Sequence, residues 1–164
     1  MTTQVKPSTP KLIKLNLMAP ISGEALPTTQ HSDVAISHGL QGQGLIISPL
    51  GSRILAPCDG IIIKKSATNH QVIMQVNHGV LVELTCGYQA ISTHGVGFIS
   101  QVKIGQKIKA GDVLIELDLL NIKKQLSYFH VALLVTNGVV KTRPHYGAVR
   151  ANEDIALVAI IKPK

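Results

Sequence analysis

The feature that most constrains this chain is a rhythm of short apolar stretches set between turn formers. LIKLNL from Leu12, GLIIS from Gly44, GIIIKK from Gly60, QVIMQV from Gln71 and GVLVEL from Gly79 are each of strand length. Between such stretches stand Ser22-Gly23, Pro49-Leu50-Gly51-Ser52, Cys58-Asp59-Gly60, Asn77-His78-Gly79, Gly95-Val96-Gly97 and Asn137-Gly138, all tolerant of turn dihedrals. Aromatic residues make up only 3% of the chain and Trp is absent, so the core must come from Ile, Val, Leu and Ala. The β-branched members of that set favour pleated strands. The pattern predicts an all-β fold, an antiparallel sandwich or barrel with little helix. The best helical candidate is Leu119 to Leu126, where Leu119, Ile122 and Leu126 share one face.

Two segments share one construction. Arg53 to Ile63 reads strand, turn at Asp59-Gly60, strand, and Val102 to Leu117 reads strand, turn at Ala110-Gly111-Asp112, strand, as a duplicated hairpin would. No linker divides the chain after residue 10, which predicts a flexible tail over 1–10 and a single domain over 11–164. With 164 residues and 45% apolar content the chain can bury a full core, which excludes a disordered protein. Its longest apolar runs fall far short of the roughly 18 residues a membrane helix needs. The first eleven residues precede no apolar stretch of signal-peptide length, and the expected location is cytoplasmic. Cys58 and Cys86 lack CxxC spacing and read as reduced, largely buried thiols.

The segment VKIGQKIKAGDVLIELDL from Val102 to Leu119 is a hairpin type found in biotinyl and lipoyl carriers, in zinc endopeptidases of the lysostaphin type and in sugar phosphotransferase proteins. Other segments decide among these. APISGE (Ala19 to Glu24), Asp33-Val34, GQGLII (Gly42 to Ile47), APCDG (Ala56 to Gly60), TNH (Thr68 to His70), GVGF (Gly95 to Phe98) and IELDL (Ile115 to Leu119) follow one another as in the glucose-type enzyme IIA family. The chain resembles that family over roughly residues 15 to 161. The resemblance implies an antiparallel β-sandwich or barrel that takes a phosphoryl group from the carrier protein HPr and passes it to an enzyme IIB in sugar uptake. Some members of that family also regulate other proteins by binding them.

Such chemistry needs two neighbouring histidines, one to accept phosphate and one to orient it, because positioning and electrostatics carry most of a phosphoryl transfer. The resemblance gives Thr68 and His70 the orienting role and puts the acceptor fifteen positions later, where Thr85 stands. Gly79 and Gly87 keep the register, so neither His78 nor His94 can slide into the site. Gln89 stands where the family has an Asp, and Ile36, Leu40, Ser66 and Glu83 fall at positions of its interaction face. The reading is an enzyme IIA relative unable to take phosphate at the usual position and acting by binding a regulatory partner, with HPr or an enzyme IIB as doubtful partners. Two alternatives stand beside it: an active phosphocarrier using His70 or another His, and an unrelated basic binding module for an acidic protein or nucleic acid.

The excess of sixteen Lys and Arg over nine Asp and Glu permits attraction to anions without identifying one. Lysines and arginines are spread along the chain without an aromatic stacking set, which disfavours nucleic acid. No H-x-H occurs and His38 lacks an Asp at the spacing of a zinc peptidase, so no metal and no cofactor are expected. Lys64-Lys65 and Lys123-Lys124 lack the context of a biotin or lipoate site. His31, His78, His94 and His145 lie near turns and read as surface residues, and Cys86 reads as a core position opposite in direction to Thr85.

Overall fold

The apolar stretches become strands that sort into one large and two small antiparallel sheets. The computed structural model describes residues 11–162; the tail expected over 1–10 lies outside them. In chain order the elements are β1 (Ile13–Met18), β2 (Gly23–Pro27), α1 (Val34–Ser37), β3 (Gln43–Pro49), β4 (Arg53–Leu55), β5 (Gly60–Lys65), β6 (Gln71–Gln75) and β7 (Leu81–Thr85). There follow β8 (Phe98–Ser100), β9 (Lys107–Ile108), β10 (Val113–Leu117), α2 (Leu119–Gln125), β11 (Val131–Val135), β12 (Val139–Pro144), β13 (Gly147–Val149) and β14 (Ile155–Ile161). The eight-stranded sheet runs β13-β2-β3-β11-β7-β6-β5-β9, and the small ones run β1-β14-β12 and β4-β10-β8. The expected all-β architecture is what the chain adopts.

The helix expected from Leu119 forms as α2, capped by the Asp118 carboxylate on Asn121 N–H, with Ile122 buried. The two strand–turn–strand units pair with each other: β4 lies on β10 and β5 on β9, so each unit sends its strands into two different sheets. Asp59 stitches the units together by accepting the N–H of Ala110 at 2.8 Å.

Strand parity decides what each face of the large sheet does. On β11, Val131, Leu133 and Val135 point into the main core with Leu45, Ile47, Val82 and Leu84. Leu17, Leu157, Ala159 and Ile161 of the β1-β14-β12 sheet close that core from the other side. The alternate residues Ala132 and Leu134 point the opposite way, into a second small cluster with Ile46 and Ile36. Gly44 makes the centre of the sheet possible, since a Cβ there would stand 1.8 Å from the Leu133 carbonyl oxygen. No helix among the described residues is long and apolar enough to cross a membrane. Cys58 is half-buried and Cys86 buried, both as free thiols; burial raises Cys58 to about 12 and pushes Cys86 up as well, so neither offers a thiolate at neutral pH.

Candidate functional site

The second face of the large sheet carries Thr85 and Glu83, and Ile36 packs over it. Register places Thr85 of β7 between Gln71 of β6 and Ala132 of β11. His70 precedes Gln71 and its carbonyl accepts the Cys86 N–H at 2.9 Å, so His70 and Thr85 lie on adjoining strand ends. The structure therefore brings Thr68, His70 and Thr85 together.

The His70 ring is buried, and its Nδ1 meets Thr68 Oγ1 at 2.5 Å and Ser66 Oγ at 3.1 Å. With Nδ1 committed to hydroxyls, a partner from outside must meet Nε2. Burial holds the His70 pKa below its usual value, which keeps the ring neutral at neutral pH. Ser66 Oγ also accepts the Gln71 N–H at 3.1 Å. Ser66, expected on an interaction face, thus works as a brace for His70.

Thr85 is only 3% exposed and its Oγ1 accepts the Gly87 N–H at 3.1 Å. Two positions away on the same strand face, the Glu83 carboxyl is buried and takes a hydrogen bond from the Gln71 amide. Burial pushes the Glu83 pKa up, against the Gln71 hydrogen bond and the Lys64 charge, and Asp33 adds to the rise. A carboxyl group therefore stands beside the threonine on the face where a phosphoryl group would have to sit.

Ile36 and Glu83 are corrections to the expected interaction face. Ile36 is 1% exposed because α1 lays it over Ile46, Ala132 and Leu134. Glu83 faces into the sheet surface under that cover, at 4% exposure. Of the four residues Leu40 is the one open to solvent, at 77%. The Gln89 side-chain oxygen accepts the Ser32 hydroxyl at 3.0 Å. It stands on the rim of an open groove of about 660 Å³ that runs past Ile91, Leu126 and Tyr128.

His31 is a further correction. Expected at the surface, it is buried, and its Nδ1 accepts the Asp33 N–H at 2.9 Å. Its ring centroid lies 5.9 Å from that of His130, which stacks on Tyr128 at 6.3 Å. Burial first, and then the neighbouring His130, lower the His31 pKa, against weaker upward pulls from Asp33 and the His130 backbone. His130 is lowered by burial. His130 drew no notice in the sequence, although its alternation with Ala132 and Leu134 puts it on the side of the sheet that Thr85 faces. Among the described residues no group of three or more His, Cys, Asp or Glu could hold a metal ion.

The family pattern for the phosphoenolpyruvate-dependent sugar phosphotransferase system, EIIA 1, matches residues 15–140. The chain belongs to that family. The glucose-specific EIIA component of the Haemophilus influenzae phosphotransferase system is 32% identical over 127 residues, 77% of this chain and 76% of the relative. That of Borreliella burgdorferi is 31% identical over 144 residues, 88% of this chain and 76% of the relative. The solved glucose permease IIA of Mycoplasma capricolum superposes with a TM-score of 0.83 at 26% identity, covering 89% of this chain and 96% of that one. The fold of this chain is thus that of the enzyme IIA family.

Proposed function

We propose that this enzyme IIA relative does not take phosphate at the position where its family is phosphorylated, and that it acts by binding a protein partner in the cytoplasm. The observation that carries this reading is Thr85: its hydroxyl is almost fully buried, bonded to the Gly87 N–H and neighboured by a buried carboxyl. Nucleophilic attack on phosphohistidine would need a base for the hydroxyl proton. His70 Nδ1 is bonded to Thr68 and Ser66, and the Thr85 hydroxyl is bonded to the Gly87 N–H, so the two groups are engaged with different partners. A threonyl phosphate would also lack the transfer potential of phosphohistidine, so onward transfer to an enzyme IIB would stall. Glu83 adds repulsion as soon as it ionises.

The test is intact-mass analysis after incubation with phosphoenolpyruvate, enzyme I and HPr at neutral to alkaline pH, with an active enzyme IIA as positive control. The expected result is no gain of phosphate. A gain of one phosphate that His70→Ala removes would overturn the reading and make the protein a phosphocarrier with a relocated acceptor.

A further inference from the structure

The outer face of the β1-β14-β12 sheet is built unlike the rest of the surface. Register aligns Lys14 of β1, Ile160 of β14 and Lys141 of β12 in one row across the three strands. The next row is Asn16, Val158 and Arg143. Lys14, Lys141 and Arg143 are exposed, while Val158 and Ile160 between them are half-buried. Lys162, exposed at the end of β14, extends the pattern. The three strands contain no Asp or Glu, and among the described residues the ion pairs are those of Arg150 with Glu153 and Asp154.

We infer that this face binds an acidic protein surface in which carboxylates flank an apolar residue. Strand spacing puts Lys14 and Lys141 roughly 10 Å apart across the apolar row, and Arg143 about 7 Å along the strand from Lys141. An apolar centre with a charged rim is how protein interfaces are made. Four cations with no neutralising partner on their sheet repel one another, and carboxylates arriving from outside relieve that repulsion. A nucleic acid gives no reason for the Val158–Ile160 row, and the face has no aromatic side chain on which a base could stack. The face lies across the core from Thr85, because Leu17, Leu157 and Ala159 on its underside pack against the opposite side of the large sheet from Thr85. A partner here leaves the Thr85 face open. The inference rests on the proposed binding role only in taking a protein as the ligand.

The probe is a labelled synthetic peptide of alternating Glu and Val, titrated with the full chain at low salt and followed by fluorescence anisotropy. Binding is expected to weaken at least about tenfold in K14E/K141E/R143E, the loss of several complementary charge pairs. It should persist in K103E/K107E/K109E, which changes net charge equally on another surface. The neutral set K14Q/K141Q/R143Q repeats the test with smaller charge change, and thermal melts verify that each variant is folded. Absence of binding, equal loss in both charge-reversed sets, or preference of this face for a single-stranded DNA oligonucleotide or for phosphatidylserine vesicles would each overturn the inference. No phosphoryl donor enters the experiment, so its failure and that of the phosphorylation reading are separately visible.

Discussion

Thr85 and Glu83 occupy one strand face two residues apart, and the proposed reading turns on both of them. Thr85 offers a buried hydroxyl at the position the proposed reading gives to the acceptor, and Glu83 offers a buried carboxyl beside it. Restoring one without relieving the other leaves the phosphoryl group opposed. Thr85→His combined with Glu83→Gln is therefore expected to take up one phosphate from phospho-HPr, and Thr85→His alone much less, read by intact mass. Gly87 is the second residue whose identity is forced. Its φ is +84°, and a Cβ there would meet His31 Cε1 at 2.7 Å. Gly87→Ala should cost about 2–3 kcal/mol, the left-handed backbone and the displaced ring together, measured by urea denaturation. The sequence showed Thr85 and Gly87 because both keep a spacing along the chain. It did not show that His31 would be buried, since that ring is placed by Gly87 and His130, which are distant in sequence.

At the scale of elements, the segment from Thr28 to Gln41 is a cover over the site face, anchored by Ile36, by His31 against His130 and by the Ser32–Gln89 bond. The helix α1 within it has four residues, too short to be stable alone. Its N-terminus is capped by the Asp33 carboxylate on Ala35 N–H at 3.0 Å, and Ile36 anchors it on Ile46, Ala132 and Leu134. Ile36→Ala should cost about 2–4 kcal/mol if the cover and the sheet unfold together. The expected outcome is less than that in global stability, because the cover can detach first, with protease cleavage between His38 and Gln41 speeding up several-fold. Full coupling would instead show the whole loss in the urea midpoint and no faster cleavage. The strands were readable as apolar runs set between turn formers, as β3, β5, β6 and β7 are; α1 was not, since a helix of one turn leaves no periodicity. The crosswise pairing of β4 with β10 and β5 with β9 was hidden for another reason. Each unit looks like a hairpin locally, and the partner of each strand lies about fifty to sixty residues away.

For the whole molecule, the large sheet separates two faces with opposite needs. One face buries titratable groups under α1 and around His31, and the other packs into the core beneath the β1-β14-β12 sheet, whose outer side displays cations to solvent. This asymmetry predicts how stability depends on pH. Burial lowers His31, His70 and His130 from 6.5, so below that value the unfolded chain binds more protons than the folded one. Their contribution is present above pH 6.5 and is lost as the pH falls through the lowered folded values. Glu83 has the opposite sign. Its raised folded value means that its contribution is present below 4.5 and is lost as the pH rises through the folded value. Between these limits three imidazoles oppose one carboxyl, and the urea midpoint is expected to be lower at about pH 5 than at about pH 7. His31→Asn keeps an acceptor for the Asp33 N–H and carries no titrating group, so it should flatten that profile. Glu83→Gln removes the one group that favours acid, so it should steepen the profile and raise stability at neutral pH relative to the native chain. A midpoint that rises on acidification in the native chain, or an unchanged profile in His31→Asn, would show that the buried imidazoles do not govern it.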